Sequence, residues 1–261
     1  MNISLKGKRA LVGASSGGIG EAIAWQLADS GASVTLMARN EKKMMAVLSN
    51  LPKGEGQSHG YLLVDFSAFD AFERAITDFF KANTVDILVN NTQGPKAGSA
   101  LDVSISDYQQ AFDLLFKTVA LTTELALPHM IGRKWGRIIN VASVSVKEPL
   151  SYLALSNSIR SAVVTWAKSL ATEVAAHQIT VNSVLTGYFD TERIAQLNAK
   201  KASQLGILES EVRSEMEARV PAKRIGKPEE YGYLVAFLAS DRASYITGSQ
   251  IPIDGGLLKS L

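Results

Sequence analysis

The 261-residue sequence predicts an α/β fold, doubly wound around a mostly parallel seven-stranded sheet with helices on both faces. Short apolar runs alternate with segments of helical period along the whole chain, as in parallel sheets built from βαβ units. Hydrophobic residues make up 46% of the sequence, which is enough for a sizeable core. No internal repeat, low-complexity tract or linker interrupts the chain, so residues 1–261 are expected to form a single domain.

The first element is a glycine-rich turn between a strand and a helix, Arg9 to Gly20, which reads R-A-L-V-G-A-S-S-G-G-I-G. The apolar run at 10–12 suits a buried strand, and Ile19, Ile23 and Leu27 then recur at helical spacing. Such a turn directs backbone N–H groups and the positive end of a helix toward a phosphate. Glycines also close ordinary tight turns, so this stretch alone leaves both interpretations open.

The remaining elements follow in the same alternation. Strands are predicted at 32–38, 61–64, 85–89, 137–141, 179–184 and 250–253. Helices are predicted at 42–51, at 69–80, from a Ser106 cap to about Ile131, at 151–176 and at 228–238. Residues 191–219 are charged and poor in large apolar side chains, which suits a lid at 188–222 or a solvated pair of surface helices.

Polar and glycine residues stand where several of these strands end. They are the glycine turn, Asp65, Asn90, Ser143 and Thr186-Gly187. The carboxyl ends of parallel strands meet at one edge of a sheet, where ligands of such folds bind. The sequence therefore predicts one ligand site at that edge.

Composition excludes several other classes of function. The net charge of +2 indicates no nucleic-acid partner, and the absence of cysteine excludes disulfides and thiolate chemistry. The three histidines lack metal-ligand spacing, so no metal is expected. We identify no signal peptide and no apolar run of about 18 residues, and we therefore expect a cytoplasmic protein without membrane association.

The order and spacing of these residues resemble the short-chain dehydrogenase/reductase family, in particular its 3-oxoacyl-acyl-carrier-protein reductases. The resemblance rests on Gly13 with Gly18-Ile19-Gly20, Asp65, Asn90-Asn91, Ser143, Asn182, Gly187 with Thr191, Tyr245-Ile246-Thr247-Gly248, and Asp254-Gly255-Gly256. It implies a Rossmann fold, NAD(P) binding, a small carbonyl or alcohol substrate, and a homotetramer or homodimer assembled through the two long helices. The alternative for those helices is packing inside the monomer.

The resemblance also implies a set of cofactor-binding residues. These are Gly13, Ser15, Ser16, Gly18, Ile19, Gly20, Arg39, Asp65, Asn90, Arg160, Gly187 and Thr191. The second strand ends on Ala38-Arg39-Asn40 and has no carboxylate before Glu41. An acidic residue there accepts the 2′-hydroxyl of NAD, whereas arginine attracts the 2′-phosphate of NADP. NADP is therefore favoured, NAD stays possible, and the alternative is an Arg39 that faces only solvent.

The chain departs from the family at three of its four catalytic positions. Ser143 matches the family's serine, which orients the carbonyl oxygen. The family's tyrosine and lysine positions carry Ser156 and Arg160, and its asparagine position carries Leu115. A serine hydroxyl is a far weaker acid than a phenol, and arginine stays protonated and relays no protons. Since a positioned acid or base contributes about 10²–10⁴ in rate, the family's usual chemistry should be impaired.

One substitute for the missing phenol is Tyr152. It precedes Ser156 and Arg160 at spacings of four, so the three share a face if the helix begins early enough. We therefore take Tyr152 as a candidate proton donor, with Lys147 as a further candidate and packing as the alternative role of Tyr152. The sequence favours an oxidoreductase with a non-standard site, and the alternative is a catalytically idle nucleotide-binding or partner subunit.

The cofactor loops depart from the family as well. The glycine turn carries one residue more than the family's G-x-x-x-G-x-G spacing, Gln93 adds bulk to the loop after Asn90, and Thr186 stands where a proline is common. The contacts to a pyrophosphate therefore cannot be copied from the family.

Overall fold

Seven strands form one sheet in the order β3-β2-β1-β4-β5-β6-β7, and every neighbouring pair is parallel. The computed structural model describes residues 3–260. The strands are β1 (Arg9–Gly13), β2 (Ser33–Ala38), β3 (Gly60–Leu63), β4 (Ile87–Asn90), β5 (Gly136–Val141), β6 (Ile179–Thr186) and β7 (Gln250–Ile253). The predicted seven-stranded, doubly wound fold is confirmed.

Nine α-helices cover the sheet in the described part of the chain. They are α1 (Gly18–Asp29), α2 (Glu41–Asn50), α3 (Phe69–Ala82), α4 (Ile105–Phe112), α5 (Thr118–Arg133), α6 (Ala154–Val174), α7 (Glu192–Leu205), α8 (Glu209–Arg219) and α9 (Pro228–Ala239). The charged segment predicted as a lid or a pair of surface helices forms α7 and α8.

Two hydrophobic clusters lie on opposite faces of the sheet. One packs α1, α2 and α9 around residues such as Ile23, Val141 and Val235, and the other packs α3, α5 and α6 around Phe72 and Ile138. Every residue of the central strands β4 and β5 is buried, as expected of parallel strands covered on both faces. The strand order changes direction between β1 and β4, and crevices at such points bind ligands.

The long helix predicted from Ser106 to about Ile131 differs in its start and in its continuity. Its cap is Ser104, whose hydroxyl accepts from the Asp107 backbone N–H while the Asp107 carboxylate accepts from the Ser104 N–H. This reciprocal pair satisfies two N–H groups that a helix start leaves free. A π-helical turn, Asp113–Lys117, then separates α4 from α5.

The stretch Ile105–Arg133 is long and apolar enough, by length and composition, to cross a membrane. Its buried residues pack into the core of the fold, however, through Leu114, Leu115, Ala126 and Met130. The core helix of a soluble protein passes the same test of length and composition.

The second long helix begins three residues later than the predicted Ser151, at Ala154. The Tyr152 carbonyl, which would accept from Ser156 in a longer helix, instead accepts from the Gly98 N–H at 2.9 Å. The Ala154 N–H in turn donates to the Gly98 carbonyl at 3.1 Å. Pairing with Gly98 therefore holds Tyr152 outside the helix.

A buried carboxylate ties the amino-terminal end of the sheet to α5. Asp86 accepts from the Arg9 backbone N–H at 2.8 Å and lies 3.0 Å from His129 Nε2. Burial raises the pKa of Asp86, but the hydrogen bonds from His129 and Arg9 outweigh it, so the net pKa is below the ordinary value. The folded state therefore favours the ionised carboxylate.

We expect Asp86→Ala to lower the free energy of unfolding by about 2 kcal/mol, because it leaves the Arg9 backbone N–H and the partly buried His129 ring without their acceptor. A depressed folded pKa gives stability that is complete above the unfolded pKa of about 4 and lost as the pH falls through the folded pKa. Urea unfolding at pH 7 and at acidic pH measures both effects. An Asp86→Ala variant with wild-type stability at pH 7 would contradict this role.

Candidate active site

The glycine turn between β1 and α1 is closely packed at both ends and open in the middle. A side chain at Gly13 would collide with the Asn91 carbonyl, and one at Gly20 with the Ala14 carbonyl. Between them, Gly17 has open space around it, and Gly18 takes a left-handed φ of 58°. No side chain caps α1, so its first N–H groups are available to an anion.

Ser15 fixes this turn and is not a side-chain ligand as predicted. Its hydroxyl is fully buried, donates to the Val12 carbonyl at 2.8 Å and accepts from the Met37 N–H at 3.0 Å. Because both capacities are used inside the protein, the Ser15 hydroxyl cannot contact a phosphate. Ser16 and Ile19 are only partly buried in the same turn.

The two asparagines at the end of β4, Asn90 and Asn91, make different contacts. Only Asn90 is predicted as a cofactor-binding residue. The buried Asn90 amide donates to Thr123 at 3.1 Å and to Asn140 at 2.9 Å, so it braces the interior. The Asn91 amide donates to the Gly13 carbonyl at 3.1 Å and thereby joins the β4 loop to the glycine turn. The sequence reasoning missed this role of Asn91, although Asn91 stands directly beside the residue it singled out.

Arg39 and Asp65 lie close together at the ends of β2 and β3. Arg39 is exposed and makes no hydrogen bond within the described residues, and its charge helps to lower the pKa of Asp65. The larger cause is a hydrogen bond from the Ser67 hydroxyl at 2.6 Å. Arg39 is therefore free to meet an anionic group beside an ionised carboxylate.

The first turn of α7 lies against the glycine turn. The Thr191 methyl group is within van der Waals reach of Gly18, and the Thr191 hydroxyl caps α7 by accepting from Ile194. Next to it, Glu192 forms an ion pair of 2.9 Å with Lys43 on α2. Gly187, at the end of β6, leaves no room for a side chain beside the Asp254 backbone. A cavity of about 540 Å³ borders this region, with Gly18 and Thr191 among its lining residues.

Ser143 and Arg160 meet at the carboxyl end of β5, and Ser156 lies one helical turn before Arg160 on α6. The half-buried Ser143 accepts from the Ser145 N–H at 3.1 Å, which leaves its own hydroxyl proton free to donate. Ser156 is 8% exposed and its hydroxyl makes no hydrogen bond within residues 3–260. Arg160, one helical turn further along α6, donates to the Val141 carbonyl at 2.6 Å. Burial lowers the pKa of Arg160, but a guanidinium stays protonated at neutral pH.

Leu115 is in the hydrophobic core and takes no part in this group. It is 2% exposed and lies in the π-helical turn before α5. Leu115 is therefore an apolar core residue that offers no anchor for a water molecule.

Tyr152 does not share a helix face with Ser156 and Arg160, so that part of the prediction is wrong. Its hydroxyl lies near Tyr188 and Arg219. Burial raises the pKa of Tyr152, the opposite of the lowering that a neighbouring lysine gives the family's tyrosine. The phenol thus remains protonated throughout the neutral range.

A second phenol, which the sequence reasoning missed, faces Arg160. The fully buried Tyr231 of α9 has its hydroxyl 3.0 Å from Thr186 Oγ1 and 3.3 Å from the Val184 carbonyl. Burial raises the pKa of Tyr231, against the smaller effects of the Thr186 hydrogen bond and the Arg160 charge. Tyr231 reads as an ordinary core position in an apolar helix, and no sequence signal distinguishes it.

The parallel sheet, the uncapped glycine turn and the serine at the end of β5 define a dinucleotide-binding oxidoreductase fold. The family model described as Enoyl-(Acyl carrier protein) reductase matches residues 13–258. The chain belongs to the short-chain dehydrogenase/reductase family. The predicted resemblance is confirmed.

Individual relatives agree with this assignment. The 3-oxoacyl-[acyl-carrier-protein] reductase FabG of Aquifex aeolicus is 32% identical over 98% of this chain and 100% of its own. L-sorbose reductase from Gluconobacter frateurii, solved with NADPH and L-sorbose, superposes with a TM-score of 0.92 at 29% identity over 100% of both chains. A 3-oxoacyl (acyl-carrier-protein) reductase from Agrobacterium tumefaciens, solved with NADP, superposes with a TM-score of 0.87 at 30% identity. The match covers 97% of this chain and 95% of that reductase.

Proposed function

We propose that this protein is an NADP-dependent oxidoreductase that interconverts a carbonyl compound and an alcohol at a non-standard catalytic site. The observation that carries the proposal is the group formed by Ser143, Ser156 and Arg160 at the same sheet edge as the glycine turn. Two hydroxyl donors and a cation suit a carbonyl oxygen that gains negative charge. The solved relatives bound to NADPH or NADP support the choice of cofactor.

The residues present fit the cofactor. The open turn at Gly17 and the uncapped start of α1 suit the pyrophosphate, and the exposed Arg39 suits a 2′-phosphate. Asp65 and Gly187 border the same edge of the sheet. A side chain added at Gly18 would meet the Thr191 methyl group, so the start of α7 lies close to the glycine turn. We propose that the segment 188–222 acts as a lid whose first turn shifts when the phosphates bind.

The chain's own groups then orient the substrate. When bound, NADPH supplies the hydride. The hydroxyls of Ser143 and Ser156 donate to the carbonyl oxygen, and Arg160 supplies a positive charge to the site without giving up a proton. Tyr152, protonated at neutral pH, is the proposed proton donor, and Lys147 on the preceding loop is the further candidate.

If Arg39 binds the 2′-phosphate of NADP, its removal should weaken the binding of NADPH but not of NADH. We expect Arg39→Ala to weaken NADPH binding about tenfold or more and to leave NADH binding unchanged, because a charge-assisted hydrogen bond contributes about 1.5–3 kcal/mol. Titration of the protein with each cofactor, followed by fluorescence, gives both dissociation constants. Equal losses for NADPH and NADH would mean that Arg39 supports the fold and not the 2′-phosphate.

The proton-donor proposal is tested by Tyr152→Phe. We expect a fall in kcat for carbonyl reduction of about 100-fold, in the range of a positioned acid. The matched control is Tyr188→Phe, which removes a neighbouring phenol and keeps Tyr152, and it should lower kcat much less. Unchanged turnover in Tyr152→Phe would assign the proton to another group.

The second candidate function is a catalytically idle subunit that binds a nucleotide or a partner. The replaced tyrosine, lysine and asparagine positions favour it. One experiment distinguishes the two candidate functions. NADPH is added to the protein, its fluorescence is recorded, and its oxidation is followed with a panel of carbonyl compounds. We expect binding and slow oxidation; binding without turnover would favour the idle subunit, and no binding would contradict both.

For the assembly, we propose a homodimer or homotetramer through the α4–α5 segment and α6. A row of aromatic side chains lies there. The ring centroids of Phe112 and Phe116, which are stacked, are 5.0 Å apart, and those of Phe116 and Trp166 are 5.9 Å apart. Light scattering in solution gives the oligomeric state. A cytoplasmic location stays a prediction.

A further inference from the structure

We propose that Arg160 binds a carboxylate of the substrate, so that the substrate is a short oxo acid whose carboxylate lies one or two carbons from the reacting carbonyl. The inference rests on the proposed function for the reacting carbonyl and on Arg160 for the carboxylate. Reductases that act on a thioester bind a neutral group where this substrate would have a charged carboxylate. A carboxylate site would therefore distinguish this chain from them.

The first step is the charge balance around Arg160. Other arginines that are tied into the fold have carboxylate partners, as Arg137 has Asp241 and Arg224 has Glu230. Within residues 3–260, no carboxylate lies in ion-pair distance of Arg160. Its neighbours are neutral oxygen atoms, the Val141 carbonyl and the Tyr231 hydroxyl. A partly desolvated cation without a counter-charge favours an anion that enters the site.

The second step is the set of free donors. One N–H of Arg160 is used by the Val141 carbonyl, and its other four make no hydrogen bond in the described part of the chain. A planar guanidinium with free donors binds a carboxylate through two parallel hydrogen bonds. A lysine at this position would offer only a point charge, which explains why arginine suits an anionic ligand better.

The third step is the spacing to the reacting oxygen. Ser156 and Arg160 are one turn apart on α6, and the Arg160 guanidinium reaches the Val141 carbonyl, two residues before Ser143. A 2- or 3-oxo acid is short enough to place its carbonyl at the serines and its carboxylate at the guanidinium. The serine hydroxyls have protons to donate, so the whole set favours oxygen atoms that accept.

The test compares an acid with its ester on the same protein. The probes are acetoacetate and methyl acetoacetate, titrated into the full chain with NADP⁺ and followed by calorimetry or by saturation-transfer NMR, which needs no turnover. We expect wild type to bind the acid at least tenfold more tightly than the ester. Arg160→Gln should abolish that preference, and Arg160→Lys should restore part of it. Arg74→Gln, which removes an exposed positive charge from α3, is the control and should keep the preference.

The dissociation constants of the acid and the ester are compared within each variant, so a general loss of stability does not produce the expected change in their ratio. Equal binding of acid and ester by wild type, or an undiminished preference in Arg160→Gln, would overturn the carboxylate site. A fall in NADP⁺ affinity in Arg160→Gln with an unchanged preference would instead assign Arg160 to the cofactor and also overturn it. If the acid is preferred but no carbonyl compound is reduced, the carboxylate site stands and the proposed oxidoreductase function fails.

Discussion

Gly13→Ala is expected to lower the free energy of unfolding by about 3 kcal/mol, the upper range for overpacking a tight interior, and to abolish NADPH binding. The added methyl group would meet the Asn91 carbonyl, which is backbone and cannot rotate away. The structure can respond only by separating β1 from the β4 loop. That movement would break the hydrogen bond from the Asn91 amide to the Gly13 carbonyl, which holds the two sides of the cofactor site together.

The matched control is Gly17→Ala in the same turn. Gly17 has a φ of 171°, which any residue adopts, and a side chain there meets nothing within 4 Å. We expect its free energy of unfolding to stay within about 0.5 kcal/mol of wild type. Urea unfolding and NADPH fluorescence measure both variants. Similar behaviour of the two alanine variants would mean that close approach at Gly13 is not what fixes the turn.

Much of the fold could be predicted because its signals are local. Apolar runs at β1, β4 and β6 are bounded by glycine, asparagine or threonine, and these boundaries coincide with the strand ends at the site. The convergence of those ends follows from parallel pairing alone. The position of Ser143 after a strand predicts it at this edge, whereas Arg160 is predicted there only by the resemblance to the family.

The rest of the site depends on contacts between distant segments. Ser15 belongs to the glycine turn in sequence, yet its hydroxyl binds β2, so it supports the turn without facing a ligand. Tyr152 has helical spacing, yet its carbonyl accepts from the Gly98 N–H and α6 begins only at Ala154. The long-range pairing of Asn91 with Gly13 and of Tyr231 with Thr186 has no local signature.

Restoring the family's acid by Ser156→Tyr with Arg160→Lys is expected to raise kcat for reduction of methyl acetoacetate by about 100-fold or more. The neutral ester is the right probe because its binding does not depend on the proposed carboxylate site. A phenol at 156 stands one helical turn from the ammonium at 160, and the positive charge lowers the phenol's pKa. Leu115 remains apolar in this variant, so we expect less than the full activity of the family.

A second double variant, Ser156→Phe with Arg160→Lys, distinguishes the effect of the new side chain's size from the effect of its hydroxyl. Both double variants crowd the 8%-exposed position of Ser156 equally, so only the phenol distinguishes them. The tyrosine variant should lose reductase activity as the pH rises through the phenol's pKa, because the donor must be protonated, and the phenylalanine variant should not. If the two variants have the same kcat, the phenol at 156 adds nothing to the proton donor proposed at Tyr152. If only the tyrosine variant reduces the ester, the wild-type site lacks an effective proton donor for this reaction, and the proposal for Tyr152 fails.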